Sequence, residues 1–267
     1  MVGALHDILR SRRWGHLNKT AFLGSQMRAL HRIPLYRFAY AQARLALRTV
    51  GRRWLSRRAH SSQEVTVDHN LKSLRSFTTR NEKLLLASMC VEDIEQSRTL
   101  IIGGRTEEEI FMFRGYGFRD VTAVDLISYS PLVVEADMHH LPFEDGSFDF
   151  IFCAYTLVYS KTPSAAAREF VRVLRDGGTI AIAVEYTPWE SRAEIQEALL
   201  GYTITPDEKL GSVDDILALF GSHVGSVYVR YDAEKKRHHT AEGKVKNPSP
   251  IMAVFSVAKD GSSDARE

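Results

Sequence analysis

The chain has 267 residues, of which 44% are hydrophobic and 25% charged, and its formal net charge is only +2. This length and composition predict a globular protein with one large domain, alone or with an extension. No apolar run approaches the roughly 18 residues of a membrane-spanning helix, which argues against an integral membrane protein. The two cysteines, Cys90 and Cys153, lack metal-ligand spacing. They favour reduced thiols in a cytoplasm-like compartment and no metal site.

Charge is distributed unevenly along the chain. Residues 1–60 contain 13 Lys and Arg against the single acid Asp7, whereas the remaining residues contain 22 Lys and Arg against 32 Asp and Glu. This asymmetry predicts a basic extension over residues 1–60 that is attached to an acidic domain over residues 61–259. Residues 260–267 are predicted to form a disordered tail.

The basic extension shows helical periodicity between Pro34 and Arg58, which predicts a basic amphipathic helix. Such a helix suits the surface of an anionic membrane. Packing on its own domain, on a protein partner or on a second copy is an equally open alternative. Binding of nucleic acid or another acidic partner is less favoured, and a mitochondrial presequence is the least favoured alternative. One face carries Tyr36, Tyr40, Leu47 and Trp54, and another carries Arg37, Arg44, Arg48 and Arg52.

The first strand and helix of the domain are predicted on either side of a glycine pair. The β-rich run Thr99–Ile102 stops at Gly103 and Gly104, and a helical pattern follows over 106–113 with a capping box formed by Thr106 and Glu109. Three successive glutamates begin this helix, where they would repel a pyrophosphate. The ligand expected at this turn therefore lacks a pyrophosphate and is ideally cationic.

The following strands alternate with helices. Strands are predicted at Val121–Val124, Leu132–Glu135, Phe148–Cys153 and Thr179–Val184. The helix between the last two is expected to start with a side-chain cap from Thr162 and with Pro163 in its first turn, and to end at Gly177 and Gly178. This alternation predicts an α/β fold with a Rossmann-like, doubly wound and mostly parallel sheet.

Flanking segments complete the predicted domain. A helix over 68–90 is expected to pack its far end on the sheet through its leucines at 84–86. After the fifth strand we predict a helix at Val213–Phe220, strands at Ser226–Arg230 and Ile251–Val257, and a long mobile loop between those two strands.

Acidic residues follow two of the predicted strands. Asp125 ends the second strand, where a carboxylate can accept both hydroxyl hydrogens of a ribose. Asp137 and Met138 follow the third strand, where the acid could accept from the amine of an adenine and the thioether could pack on its face. Ligands bind at the carboxyl ends of the strands in such sheets. The sequence therefore predicts an adenosine-containing cofactor.

Three segments, "VDL", "EADMHHLPFEDGSFDFIFCAY" and "EFVRVLRDGGTIAIAVE", resemble the class I S-adenosylmethionine-dependent methyltransferases. The similarity is greatest to the type 11-like branch that has an LPF-x-DGSFD segment and a helix ending in RVL-x-x-GG. It covers Thr99 to Glu185 and implies a seven-stranded sheet with an antiparallel last strand and S-adenosylmethionine as cofactor. The first glycine motif departs from the family pattern, because "IIGGRTEEE" replaces the usual acidic residue and second spaced glycine.

The resemblance also implies which residues contact the cofactor. Because a sulfonium is cationic, the acidic first helical turn is compatible with it, and Arg105 could pair with the methionine carboxylate. Carried over to this sequence, the family pattern places Gly103, Gly104 and Arg105 beside the methionine portion of the cofactor. It places Asp125 at the ribose, with Leu126 also among the cofactor-binding residues, and Asp137 and Met138 at the adenine. Beside the sulfonium it places Cys153, Ala154 and Tyr155.

Methyl transfer requires the protein to align the acceptor and, for an oxygen acceptor, to remove a proton. Candidate bases near the carboxyl ends of strands three and four are His139, His140, Tyr155 and Tyr159. "SKTP" after Tyr159 replaces the acid–histidine pair that is common in relatives. The missing Asn/Asp-Pro-Pro-Tyr segment argues against methylation of amino groups in nucleic acid bases or glutamine.

The favoured function is therefore an S-adenosylmethionine-dependent methyltransferase that transfers a methyl group to an oxygen atom of a small-molecule, glycan or lipid-linked acceptor. The expected location is the cytoplasm, and it is a membrane surface if the basic extension binds there. Two alternatives remain open. One is a binding or scaffolding protein that retains the methyltransferase fold without activity. The other is an RNA-associated methyltransferase that uses the arginines as a phosphate tether.

Overall fold

A computed structural model describes residues 80–90, 96–105, 107–126, 132–186, 207–232 and 250–259. The predicted basic helix, the capping residue Thr106, the loop at 233–249 and the tail lie outside these residues, and the predicted domain boundaries stay predictions. The described helices are α1 (Arg80–Ala87), α2 (Glu107–Gly115), α3 (Pro163–Val173) and α4 (Val213–Ala218). The described strands are β1 (Arg98–Ile102), β2 (Asp120–Asp125), β3 (Val133–Glu135), β4 (Phe148–Ala154), β5 (Leu174–Glu185), β6 (Val224–Tyr231) and β7 (Pro250–Val257).

The described strands form a seven-stranded sheet in the order β3-β2-β1-β4-β5-β7-β6. The pairs β1–β2, β2–β3 and β4–β5 are parallel, whereas β7 pairs antiparallel with both β5 and β6. The helix α2 connects β1 to β2, and the helix α3 connects β4 to β5. The predicted α/β class, the doubly wound sheet and the antiparallel last strand are confirmed.

The central strands β4 and β5 are covered on both faces, which explains their nearly continuous apolar sequences. Residues 150–153 and 180–184 are completely buried. The helix α1 contacts both strands, and its Leu84 and Leu85 are completely buried, as predicted for this end of the helix. Leu86, which the sequence also suggested for packing, is 52% exposed instead.

The helix α3 begins where it was predicted but with a different cap. Pro163 occupies the first turn, whereas the side chain of Thr162 makes no capping hydrogen bond. The prediction of a threonine side-chain cap is therefore wrong. The fixed φ of proline and its missing N–H suit the first helical turn, and they mark this helix start without a side-chain cap.

The end of α3 was also predicted wrongly. The helix stops at Val173, and Leu174 already has extended backbone angles and pairs with Phe148 of β4. The register between β4 and β5 then shifts, and the predicted terminators Gly177 and Gly178 lie within this irregularity. Gly177 has φ +69°, and a Cβ at Gly178 would lie 2.6 Å from the Leu174 side chain. The two glycines therefore serve a bulge in the strand rather than a helix end.

The described residues divide into two compact units. The first comprises residues 96–137 and contains β1, β2, β3 and α2. The second comprises residues 80–90 and the described parts of 138–259, with α1, α3, α4 and the strands β4 to β7.

Candidate functional site

In the first unit the glycine pair follows β1 directly, and hydrogen bonds attach its backbone to β2. The N–H groups of Gly103 and Gly104 both donate to the Val124 carbonyl, over 2.8 and 3.1 Å, and the Arg105 N–H donates to the Gly103 carbonyl over 2.8 Å. Gly103 has φ 79°, a left-handed conformation that favours glycine. Because all three amides are used within the protein, the turn does not offer a ligand the cradle of N–H groups that binds phosphates.

Gly104 is required by the packing of the protein itself. A Cβ at this position would lie 2.7 Å from the Cβ of Ala123 in β2, which is closer than real Cβ atoms approach. The same position is 3.5 Å from a carboxylate oxygen of Glu109, in the first half of α2. The turn therefore carries negative charge close to its backbone, which suits a cationic ligand better than a phosphate.

The strand β2 ends in Asp125, whose position is fixed by its neighbours. Asp125 pairs in register with Glu135 of β3, and its carbonyl accepts a hydrogen bond from the Ala136 N–H over 3.0 Å. The residue is only 8% exposed, although a buried carboxylate is costly unless polar partners stabilise it. Leu126 and Asp137, both half-buried, follow the ends of β2 and β3. The first unit thus brings Asp125, Leu126 and Asp137 to the same edge of the sheet as the glycine turn.

In the second unit β4 ends in three buried residues, Cys153, Ala154 and Tyr155. Cys153 has no disulfide partner among the described residues. Tyr155 has φ 58°, the only positive φ outside glycine among the described residues, and its N–H donates to the Ala183 carbonyl over 2.7 Å. Left-handed backbone is unfavourable for a bulky side chain and is found preferentially at functional turns. The strained turn after β4 is therefore a candidate part of a site.

A hydrogen bond joins the residues after β3 to the segment after β4. His139 Nε2 lies 2.7 Å from Ser160 Oγ, and Ser160 is buried with 1% exposure. Met138 is also buried, whereas His140 is exposed. Tyr159, the remaining candidate base, is half-buried in a short 3-10 turn. The second unit therefore brings His139 together with Ser160, a residue that the sequence analysis did not single out.

A single arginine holds the segment that follows these histidines. Arg172 on α3 donates from Nε and Nη2 to the two carboxylate oxygens of Glu169, over 2.7 and 2.8 Å. Its Nη1 donates to the Phe143 carbonyl and to Asp145, both over 2.8 Å, and its Nη2 donates to the Leu141 carbonyl over 3.0 Å. All five N–H groups of the guanidinium are therefore used. This cluster joins the LPF-x-DGSFD segment to the helix that ends in RVL-x-x-GG.

Glu169 completes this cluster by accepting from the backbone N–H of Leu141 over 2.9 Å. The hydrogen bond from Arg172 lowers the pKa of Glu169, burial opposes this effect, and the Leu141 N–H adds to it. The same pairing with Glu169 and Asp145 raises the pKa of Arg172. Sequence analysis missed this arrangement, although the three-residue spacing of Glu169 and Arg172 on a helix is a visible signal for an ion pair.

The described residues contain neither a candidate metal site nor a candidate membrane-spanning helix. Within the ranges that the structure describes, no group of three or more His, Cys, Asp or Glu side chains is arranged to hold a metal ion. None of the helices in those ranges combines the length and the apolar character needed to cross a bilayer.

Comparison with known proteins finds similarity in the central segment. Residues 102–182 match the model of a methyltransferase domain. A curated relative, methyltransferase GfsG of Streptomyces halstedii, is 37% identical over 70 residues, which are 26% of this chain and only 22% of the length of that relative.

Two solved structures match about two thirds of the chain. The YcgJ protein from Bacillus subtilis matches with a TM-score of 0.50 at 15% identity, over 67% of this chain and 99% of the YcgJ chain. An S-adenosylmethionine-dependent methyltransferase from Mesorhizobium loti matches with a TM-score of 0.48 at 13% identity, over 66% of this chain and 96% of that chain. At 15% identity the YcgJ match concerns the fold alone.

Proposed function

We propose that this chain, whose residues 102–182 match the methyltransferase domain, is a class I S-adenosylmethionine-dependent methyltransferase. We propose further that it transfers a methyl group to an oxygen atom of a small-molecule, glycan or lipid-linked acceptor. S-adenosylmethionine is the cofactor of that family. The observation that carries the proposal is the buried carboxylate of Asp125 at the carboxyl end of β2, directly after Val124, whose carbonyl anchors the glycine turn.

The residues of the first unit fit a cofactor of this chemistry. Asp125 accepts the two ribose hydroxyls, because a buried carboxylate gains most from donors that replace water. Asp137 accepts from the adenine amine, and Arg105 pairs with the methionine carboxylate at a turn whose amides are already bonded. The nearby Glu109 carboxylate favours a cationic sulfonium over a pyrophosphate.

The remaining cofactor residues belong to the second unit. Met138 packs on the adenine, and Cys153, Ala154 and Tyr155 line the side of the sulfonium, as the family pattern implies. When bound, the cofactor supplies an activated methyl group on a positively charged sulfur. The burial of these four residues supports this role, since apolar walls exclude water from the reacting groups.

The chain's own contribution to the reaction is to align the acceptor and to take up its proton. An acceptor hydroxyl loses its proton to a side-chain base as its oxygen approaches the methyl carbon. The candidates are His139, His140, Tyr155 and Tyr159. The strained turn at Tyr155 supports a functional role for the segment after β4.

The same proposal includes a role for the basic extension over residues 1–60 and a cellular compartment for the enzyme. Residues 1–60 dock the enzyme on an anionic membrane surface or on a protein partner, and RNA is the less favoured partner. The buried free thiol of Cys153 supports a reducing, cytoplasm-like compartment.

The proposal is tested by transfer of labelled methyl groups. The protein is incubated with S-adenosylmethionine carrying a tritiated methyl group and with lipid, glycan and small-molecule fractions of cells. We expect label in one of these fractions and its loss in Asp125→Asn, while Asp120→Asn, at the opposite end of β2, retains activity. Cofactor binding without labelling of any fraction would favour the scaffold function.

A further inference from the structure

The hydroxyl of Ser160 is buried and fixed by its own backbone. Ser160 is 1% exposed, and its N–H donates to the Leu157 carbonyl over 3.0 Å, closing the 3-10 turn Leu157–Tyr159 after β4. Its Oγ lies 2.7 Å from Nε2 of His139, which follows β3. The hydroxyl is therefore presented to the imidazole by a turn that does not depend on the histidine.

The direction of this hydrogen bond follows from the burial of Ser160. A buried hydroxyl whose hydrogen has no acceptor destabilises a fold. Within the described parts of the chain, the hydrogen-bond partner of Ser160 Oγ is His139 Nε2. The hydroxyl therefore donates, and Nε2 must present its lone pair. In a neutral imidazole with an unprotonated Nε2, the hydrogen is on Nδ1.

We infer that Ser160 is a positioning residue that holds neutral His139 in its Nδ1-protonated form. Without such a partner, histidine side chains in water favour the Nε2-protonated form. The Nε2 lone pair is engaged by Ser160 and Nδ1 carries the hydrogen, so neutral His139 has no lone pair for the proton of an acceptor. It acts as a hydrogen-bond donor, which leaves Tyr155, Tyr159 and His140 as the candidates for the base.

This consequence for the reaction rests on the proposed methyl transfer, whereas the protonation state of the ring does not. The experiment is therefore performed on the full chain without S-adenosylmethionine. Failure to bind the cofactor would end the proposed function and leave the inference about Ser160 intact. Conversely, a failure of the inference about Ser160 would leave the proposed function intact, because methyl transfer is compatible with either protonated form of His139.

The test is a two-bond ¹H–¹⁵N correlation spectrum of the histidine rings in ¹⁵N-labelled protein at about pH 8.5, well above the ordinary imidazole pKa of about 6.5. Protonated and unprotonated ring nitrogens differ strongly in ¹⁵N shift. His139→Gln assigns the resonances of His139 among the 10 histidines. The exposed ring of His140 is an internal reference for the Nε2-protonated form.

We expect His139 to be protonated on Nδ1 in the wild type and in Ser160→Thr, which keeps the hydroxyl. In Ser160→Ala the ratio of the two forms should move at least about fivefold toward Nε2–H, the factor typical of one hydrogen bond. Ser147→Ala, which removes an exposed hydroxyl bonded to the Glu144 carbonyl, should not change it.

An Nε2-protonated His139 in the wild type would overturn the inference, and so would an unchanged ratio in a folded Ser160→Ala. Circular dichroism establishes whether that variant folds. If Ser160→Ala does not fold, the spectra of the wild type and of Ser160→Thr test the inference, because both must show the Nδ1-protonated ring of His139.

Discussion

Replacing Arg172 by alanine is expected to destabilise the protein by about 3 kcal/mol. The bonds to the Leu141 and Phe143 carbonyls contribute about 1 kcal/mol each, a typical net value for a hydrogen bond. The paired bonds to Glu169 contribute about 1 kcal/mol, since both side chains are partly exposed. The pair with Asp145 adds about 0.3 kcal/mol at most, because that side chain is 76% exposed.

Urea unfolding followed by circular dichroism measures this loss. Arg168→Ala is the matched control, since Arg168 is an exposed arginine of the same helix, and we expect it to change stability by less than about 0.5 kcal/mol. Arg172→Lys keeps the charge but not the forked geometry and should lose about 2 kcal/mol. If Arg172→Ala were no less stable than Arg168→Ala, the role assigned to the guanidinium would be refuted.

The same cluster predicts a pH dependence. The pKa of Glu169 is lowered from its ordinary value of 4.5, so its pairing stabilises the fold above that pH and is lost as the pH falls through the folded-state pKa. Thermal midpoints below about pH 4.5 should therefore fall less steeply in Glu169→Gln than in the wild type, and equal slopes would contradict the assignment. Gly104→Ala should destabilise by about 1–3 kcal/mol because its methyl group would collide with Ala123. Adding Ala123→Gly should reduce the cost of the Gly104 substitution, and strictly additive effects in a double-mutant cycle would show that the collision is not its cause.

The order of strands and helices could be predicted because it depends on local patterns. The buried runs in β4 and β5 are continuous in sequence, and Asp125 directly ends an apolar run. The end of α3 could not be predicted in this way. Gly177 and Gly178 have the composition of a helix terminator, but the pairing of Leu174 with Phe148 begins the strand before the chain reaches them. Tertiary pairing overrides the local signal there.

The parts of the candidate site that the sequence did not reveal depend on contacts between distant residues. Arg172 reaches carbonyls 29 and 31 positions earlier in the chain, and His139 contacts a serine 21 positions later. No periodicity in the sequence encodes such distances. The packing of Gly104 against Ala123 is another contact of this kind, since a Cβ at Gly104 would lie 2.7 Å from the Ala123 Cβ.

The most direct test of the central claim is calorimetric titration of the full chain with S-adenosylmethionine. We expect saturable binding to the wild type and to Asp120→Asn. Binding to Asp125→Asn should be about 10- to 100-fold weaker, since a hydrogen bond to a charged group contributes about 1.5–3 kcal/mol. No binding to the wild type, or equal affinities for the wild type and Asp125→Asn, would contradict the assignment of Asp125 to the cofactor.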